Sequence, residues 1–272
     1  MKTDPEMQRL SRAIVAQARA LGADLAGVAN VADLKASPSH RISEALPEFK
    51  GEGTKPTAGR KRGVVTWREG VRSAVVIAIE HPAGRPELDW WITPKTVGDT
   101  PGNKLLRSAI DGLADWLERE HGVCCIRLPY HVELGAIFMK DTAVLAGLGC
   151  IGMNNLLVTP QFGPRQRLRV MLTDADLPTT GAADYDPCDG CPMPCREACP
   201  QKAFAETIYT GEEYGLEELP GRTGVFARLR CNKQMTVDNA AFETIAIDGQ
   251  VEPAKRVKYC RECELACLVV AR

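Results

Sequence analysis

Eight of the eleven cysteines lie in the last third of this 272-residue chain, and they fall into two sets. The first set ends in a Cys-Pro pair and consists of Cys188, Cys191, Cys195 and Cys199. The second set has one cysteine alone and three close together: Cys231, Cys260, Cys263 and Cys267. Closely spaced cysteines supply three thiolates to a [4Fe-4S] cluster, and a distant cysteine supplies the fourth. The spacing therefore predicts two [4Fe-4S] clusters on eight cysteines.

The two sets are expected to exchange ligands, because in two-cluster ferredoxins the fourth cysteine of each run binds the other cluster. We name the resulting ligand sets group 1 and group 2. Group 1 is Cys188, Cys191, Cys195 and Cys267. Group 2 is Cys199, Cys231, Cys260 and Cys263. The chain departs from the usual run in having three residues between Cys191 and Cys195 and no proline after Cys267.

Zinc is the main alternative, because Cys-x-x-Cys pairs also build tetrahedral structural sites and eight cysteines suffice for two ions. The Cys-Pro ending and the one-to-three division of the second set favour iron and sulfide. Disulfides are disfavoured in a reducing compartment. The remaining cysteines are Cys124 and Cys125, interpreted as small apolar residues of a strand, and Cys150, which has a fair chance of lining a site.

Composition and charge are those of an ordinary soluble protein, with 44% hydrophobic residues, 25% charged residues and a net charge of −1. That charge does not favour a nucleic acid as partner. No apolar run reaches the 18 or so residues that a membrane span requires, and the first residues lack a secretory signal pattern. We therefore expect a cytoplasmic protein with no membrane contact.

Hydrophobic periodicity predicts two long helices, one that starts at Asp4-Pro5 and ends at Gly22, and one that Asn103 caps and Gly122 ends. Strands are predicted at residues 73–79, 123–128, 156–158 and 168–172. Residues 82–102 are predicted to be irregular. A linker rich in Pro, Gly and Asp spans 174–187, and it divides the chain into domains at 1–180 and 181–272.

Three glycines (Gly147, Gly149 and Gly152) lie between a predicted short helix at 141–146 and the strand at 156–158. Glycines in such a loop let backbone N–H groups approach a ligand phosphate, although a plain tight turn explains them equally well. Because a helix precedes the loop and a strand follows it, the loop is not a Rossmann dinucleotide fingerprint.

The stretch 146–163 reads AGLGxIGxNxLLxxPxxG, and the cysteine sets follow it in the same order as in a known superfamily. From about Gln8 to Cys267 the chain resembles the epoxyqueuosine reductases and reductive dehalogenases. The resemblance implies an α+β fold, with a nitroreductase-like α/β catalytic domain at 1–180 and a ferredoxin-like domain with two [4Fe-4S] clusters at 181–272. It also implies a cobalamin between these domains.

The resemblance further implies a function. A soluble donor of the ferredoxin or flavodoxin type would pass electrons through both clusters to cobalamin, which would reduce a small molecule or a modified nucleoside. Corrinoid contacts are implied for Gly147, Gly149, Gly152, Asn154 and Arg165. Tyr130, His131 and Lys140 lie where the family often has its substrate pocket, although a structural role is common for such residues.

Asp99 is the implied catalytic proton donor, and a polar turn residue is the alternative interpretation of the same aspartate. No helical-repeat domain follows Cys267, and such a domain is usual in the tRNA-acting members. Two other functions stay open at this point: a corrinoid-free electron-transfer protein, and a reductive activator of a corrinoid protein that is a separate partner.

Overall fold

The computed structural model of the chain describes residues 4–46, 63–93, 98–249 and 251–269. Its strands are β1 (Leu25–Asn30), β2 (Ser73–Glu80), β3 (Trp91–Thr93), β4 (Cys125–Arg127), β5 (Cys150–Ile151), β6 (Leu157–Val158), β7 (Gln166–Thr173), β8 (Glu243–Ile245) and β9 (Ala254–Val257). Its α-helices are α1 (Pro5–Ala20), α2 (Val31–Ala36), α3 (Pro38–Ile42), α4 (Pro101–His121), α5 (Met139–Leu145), α6 (Pro194–Glu197), α7 (Gly211–Tyr214), α8 (Arg228–Ala240) and α9 (Glu262–Leu265).

An antiparallel four-stranded sheet in the order β1-β2-β7-β4 lies at the centre of the part of the chain before residue 180. Helices cover both faces of this sheet. Since successive side chains of a strand point to opposite faces, each strand contributes to two cores. In β2, Val75, Ile77 and Ile79 pack into one core with α1 and α4. The alternate residues of β2 pack into a second core with α2 and α5. The predicted buried strand at 73–79 and the mixed helix-and-sheet class are thus confirmed.

The ends of the two long helices follow from their caps. The Asp4 side chain accepts a hydrogen bond from the Glu6 N–H, and Pro5 occupies the first helical position of α1, as predicted. Helix α4 ends at Gly122 in the left-handed conformation, also as predicted. The prediction that Asn103 caps α4 is wrong. Thr100 is the cap and accepts from the Asn103 N–H, because the fixed φ of Pro101 suits the first helical position.

A second sheet, in the order β3-β9-β8, contains strands from both sides of the predicted domain boundary. Trp91 of β3 lies opposite Val257 of β9. The indole of Trp90 contacts the guanidinium of Arg256 at 4.4 Å. The prediction of an irregular segment at 82–102 is therefore wrong in part, since the segment contains β3 and a short 3-10 helix at Pro86–Asp89. A three-residue strand is too short to show an alternating pattern.

Little apolar material is buried beyond residue 181 in the described part of the chain. Helix α8 has no buried residue. The buried apolar side chains of this region are Cys195, Ala203, Tyr209, Ala254 and Val257. A small core of this kind usually requires a metal or a covalent crosslink for stability.

Among the described residues, no helix combines the length and apolar character needed to cross a lipid bilayer.

We expect removal of iron and sulfide by a chelator to unfold residues 181–269 while the central sheet stays folded. The predicted clusters would stabilise the second domain in place of a large core, whereas β2 and β7 have cores of their own. Hydrogen exchange measured by mass spectrometry checks this, with β2 and β7 as the internal control. Equal loss of protection in both parts, or no loss in either, would contradict the expectation.

Candidate cluster sites and ligand cavity

The four cysteines of group 1 line one small void of about 30 Å³ between the loop before α6 and the end of the chain. Cys188 and Cys191 lie in that loop, Cys195 lies in the first turn of α6, and Cys267 follows α9. Met193 adopts a φ of +57°, in the left-handed region. This turn leads the chain into α6 and accommodates the additional residue between Cys191 and Cys195.

The four cysteines of group 2 are also close together, although three separate segments carry them. Cys231 lies on α8, Cys260 and Cys263 lie at α9, and Cys199 follows α6. Burial, together with the negative charges of Cys231, Cys260 and Cys199, raises the pKa of the Cys263 thiol to about 12. The structure thus brings together the same two groups of four that the crossed assignment predicts. Their occupancy by clusters stays a prediction.

The surroundings of both groups fit cluster ligation. Backbone N–H groups point at sulfur: that of Met153 at Cys188 Sγ (3.5 Å), that of Met193 at Cys191 Sγ (3.5 Å) and that of Ala203 at Cys199 Sγ (3.3 Å). Such hydrogen bonds stabilise thiolates and tune cluster potentials. Burial raises the pKa of the Cys195, Cys231, Cys260 and Cys267 thiols. Cluster binding must therefore displace protons from these sulfurs.

The zinc alternative requires a tighter arrangement of the thiols. Within the described ranges, no three His, Cys, Asp or Glu side chains stand close enough to hold one metal ion. Thiolates around a [4Fe-4S] cluster stand farther apart than thiolates around zinc, because each sulfur binds a different iron atom. In the described residues the thiols are thus not assembled at zinc-binding distances, and iron and zinc analysis of the purified protein distinguishes the two metals.

The glycine stretch packs against protein backbone. A Cβ atom on Gly147 would lie 2.0 Å from the Gly181 carbonyl oxygen, and the φ of Gly147 is +75°. A Cβ atom on Gly149 would lie 2.1 Å from the Val158 carbonyl oxygen, and one on Gly152 would lie 2.5 Å from Val158 Cγ2. None of the three glycines lines either of two cavities, of about 690 and 390 Å³, that could hold a ligand. Their contact with a corrinoid stays a prediction, and close chain packing suffices to explain them.

Asn154 and Arg165 contact the segment that carries the last cysteines. Asn154 donates from Nδ2 to the Cys263 carbonyl at 3.2 Å. Arg165 donates to the carbonyl oxygens of Val269 (2.8 Å), Leu265 (3.2 Å) and Cys267 (3.3 Å). Both side chains are buried and line neither cavity. The structure thus places these two predicted corrinoid contacts at the cysteine segment.

A cavity of about 690 Å³, which we call the large cavity, is lined by residues from both sides of the predicted domain boundary. A second cavity of about 390 Å³, the small cavity, adjoins it, and both are lined by Tyr130, His131 and Met235. Cys260 lines the large cavity and Cys231 lines the small one, so group 2 borders the ligand space. No group 1 cysteine lines either cavity.

Asp99 lies in the wall of the large cavity. Its backbone pairs with Ile92, which fixes its position beside β3. The carboxylate accepts hydrogen bonds from the Thr100 N–H (2.9 Å), from Asn103 Nδ2 and from Arg107 (2.6 Å). Asp99 is thus oriented by three donors at the ligand space, which is where a proton donor would have to be. Its catalytic role stays a prediction.

The three other predicted pocket residues also line ligand space. Tyr130 and His131 line both cavities, with their rings in an edge-to-face contact. Lys140 lines the small cavity and donates from Nζ to the backbone carbonyl of Asn155 at 2.5 Å. All three side chains could therefore contact a ligand in these cavities.

Sequence reasoning missed a ring of charged side chains between the large cavity and α9. Asp89 accepts from His81 (2.8 Å) and from Arg167 (2.9 Å), and Arg167 also pairs with Glu264 (2.9 Å). Arg261, which follows Cys260, pairs with Glu264 and lies 2.8 Å from the other Asp89 oxygen. Burial raises the pKa of Asp89, but the His81 hydrogen bond and the arginine charges outweigh it and hold this pKa below its usual value. The only sequence signal was the alternation of arginines at 165, 167 and 169.

Comparisons with known proteins agree with this architecture. No protein-family model matches the chain. It is 30% identical over 198 residues to the epoxyqueuosine reductase of Gloeobacter violaceus, which covers 71% of this chain and 60% of the relative. It is 38% identical over 65 residues to the tetrachloroethene reductive dehalogenase of Dehalobacter restrictus, 23% of this chain and 12% of that protein.

The fold is also that of a solved protein. A crystal structure of epoxyqueuosine reductase with an epoxyqueuosine-modified tRNA-Tyr stem loop matches 96% of this chain and 65% of its own, with a TM-score of 0.62 and 17% identity. The chain belongs to the epoxyqueuosine reductase and reductive dehalogenase superfamily. It spans about 60% of the length of the first of these curated relatives.

We expect Gly147→Ala to lower the free energy of unfolding by more than Gly22→Ala does. Both glycines have positive φ, which costs an alanine about 1–2 kcal/mol. A Cβ atom at Gly22 meets open space, whereas one at Gly147 meets the Gly181 carbonyl. Denaturant unfolding of the protein purified without added cobalamin measures the difference. Equal costs at the two positions would contradict a packing role for Gly147.

Proposed function

We propose that this chain is an iron–sulfur oxidoreductase that passes electrons through two [4Fe-4S] clusters to a cofactor and substrate in the junction cavities. The observation that carries the proposal is the position of group 2, whose Cys260 and Cys231 border the large and small cavities. Group 1 lies apart from the cavities and is the entry point for electrons. The proposed fold is a nitroreductase-like domain followed by a ferredoxin-like domain.

The proposed cofactor is cobalamin, and the junction offers a fit for it. Two adjoining cavities give room for a large flat group, with aromatic walls from Trp91, Tyr130 and Tyr259. Tyr130, His131 and Met235, which line both cavities, would hold such a group where the cavities meet. When bound, cobalamin supplies a low-valent metal that can transfer electrons to an organic substrate, which protein side chains cannot do.

The chain's own residues have three tasks in this proposal. The group 1 cysteines would hold a cluster that could accept electrons one at a time from a soluble donor of the ferredoxin or flavodoxin type, and the group 2 cysteines would hold one that could pass them to the ligand space. Asp99 delivers a proton to the substrate from the wall of the large cavity. Overall, two electrons from the donor and two protons, ultimately from water, are consumed for each substrate reduced.

The proposed substrate is a modified nucleoside or another small organic molecule, and the proposed setting is the cytoplasm. The structurally similar reductase was solved with an epoxyqueuosine-modified tRNA stem loop, which supports the first of these substrates. The charged residues in the wall of the large cavity could bind polar groups of either substrate. They are Asp89, Asp99, Lys104, Arg107, Arg167 and Arg261.

Protein purified anaerobically with cobalamin supplied should contain about eight irons and bound corrinoid. Cys231→Ser should lose the iron of one cluster, whereas Cys124→Ser should keep all of it, because Cys124 is exposed and belongs to neither group. Iron, sulfide and corrinoid analysis measures these contents. Zinc in place of iron would refute the proposal. Eight irons without corrinoid would leave the electron-transfer alternative and remove cobalamin.

Asp99→Asn should lower turnover by about 10²–10⁴-fold, because the amide keeps the shape of the side chain but has no acidic proton. Iron and corrinoid contents should not change. The assay uses a chemically reduced donor and an epoxyqueuosine-modified stem loop. Asp115→Asn is the control, since Asp115 lies on the same helix as Asn103 but pairs with Arg127 at the surface. Full turnover by Asp99→Asn would assign the aspartate to the turn alone.

A further inference from the structure

The last cysteine, Cys267, lies in a segment that rests on a preformed turn of the first domain. Thr159 and Gly163 close this turn with two backbone hydrogen bonds of 2.8 and 2.9 Å. Gly163 has a φ of +57°, and a Cβ atom there would lie 2.1 Å from the Val269 carbonyl oxygen. The backbone of Val269 thus packs directly against the backbone of this turn. The turn lies just before Arg165 in the sequence.

Arg165 holds this segment in place. Its guanidinium donates to three carbonyl oxygens on both sides of Cys267, those of Leu265, Cys267 and Val269, at 2.8–3.3 Å. Three acceptors on five consecutive residues fix the path of the segment. The planar guanidinium suits this task, because its donors point in several fixed directions at once.

The charge of Arg165 has no carboxylate partner among the described residues. Arg165 is only 7% exposed, and a buried cation without an anion is costly. Carbonyl dipoles satisfy its N–H groups but do not cancel its charge. The nearby anion that would cancel it is a thiolate-ligated cluster on group 1, whose net charge becomes more negative on reduction.

We propose that Arg165 is a positioning residue and charge partner for the group 1 cluster: it holds Cys267 in ligating position and stabilises the reduced cluster. This inference rests on the proposed function, because it requires a cluster on group 1. It gives Arg165 a role other than the corrinoid contact that the family resemblance implies. A positive charge beside a cluster favours the reduced form and so raises the reduction potential. The group 1 cluster would then accept electrons readily from a soluble donor.

The test measures iron content and the two cluster potentials of Arg165→Met, Arg165→Lys and wild type by an anaerobic redox titration followed by electron paramagnetic resonance. A wild type without about eight irons would refute the proposed function and this inference with it, whereas failure of the inference alone requires a fully loaded wild type. With the wild type loaded, Arg165→Met should lower the potential of one cluster and leave the other unchanged. Arg165→Lys keeps the charge and should stay closer to wild type.

Two further variants assign the effect. Cys188→Ser perturbs the group 1 cluster directly, and the signal that it alters should be the one that Arg165→Met shifts. Arg169→Met is the control. Arg169 is buried, as Arg165 is, but it lies within β7 and donates to Leu128 and Asn103, away from the cysteines. It should shift neither potential.

An Arg165→Met protein that binds less than the full amount of iron still tests the proposed role of Arg165. Loss of about four irons, with recovery in Arg165→Lys, supports the inference, since one cluster alone is then affected. Three results would overturn it: full iron with both potentials unchanged, a shift of the group 2 potential instead, or loss of both clusters that Arg169→Met reproduces.

Discussion

Each cysteine group joins segments that are far apart in sequence, and the rest of the chain beyond residue 181 is arranged around these meetings. Group 1 joins the loop before α6 to the end of the chain, and group 2 joins α6, α8 and α9. Because few apolar side chains are buried here, hydrophobic packing contributes little free energy to hold these segments together. Ligation of a cluster would contribute that free energy, as structural metals do in other small domains.

The first domain contributes the rigid partner for this arrangement. Its central sheet is buried on both faces, and β7 begins beside the cysteine segments. Arg165, just before β7, and Arg167, its second residue, contact the segment that contains α9, the first through its carbonyls and the second through Glu264. The segment that carries the last cysteines is thus in contact with a strand that the hydrophobic core already holds.

The sequence predicted well whatever depends on local signals. The ends of α1 and α4 follow from Asp4, Pro5 and Gly122, and the buried strand β2 follows from its apolar run. Cysteine spacing predicted which thiols the structure would bring together, because that rule depends on ligand geometry. The prediction failed for β3, whose pairing partner lies far along the chain, and for the cap at Asn103, where Thr100 and Pro101 take precedence.

Polar contacts between distant residues were the hardest to predict. The ring of His81, Asp89, Arg167, Arg261 and Glu264 joins three separate segments, and no spacing rule relates them. The glycine stretch shows the opposite difficulty. Its pattern suggests a ligand loop, but the space around Gly147 and Gly149 is filled by the chain itself. Both cases require knowledge of which backbones approach each other, and one sequence does not contain that information.

The sheet shared by β3, β9 and β8 limits how this protein could be divided or recombined. A cut at the predicted boundary would leave β3 without β9, and it would expose the unpaired edge of β9 together with the indole of Trp90. The cysteine-bearing segment is therefore not a detachable cassette. A foreign module grafted in its place would have to bring a strand that matches β3, so the two parts of the chain must be exchanged as one unit.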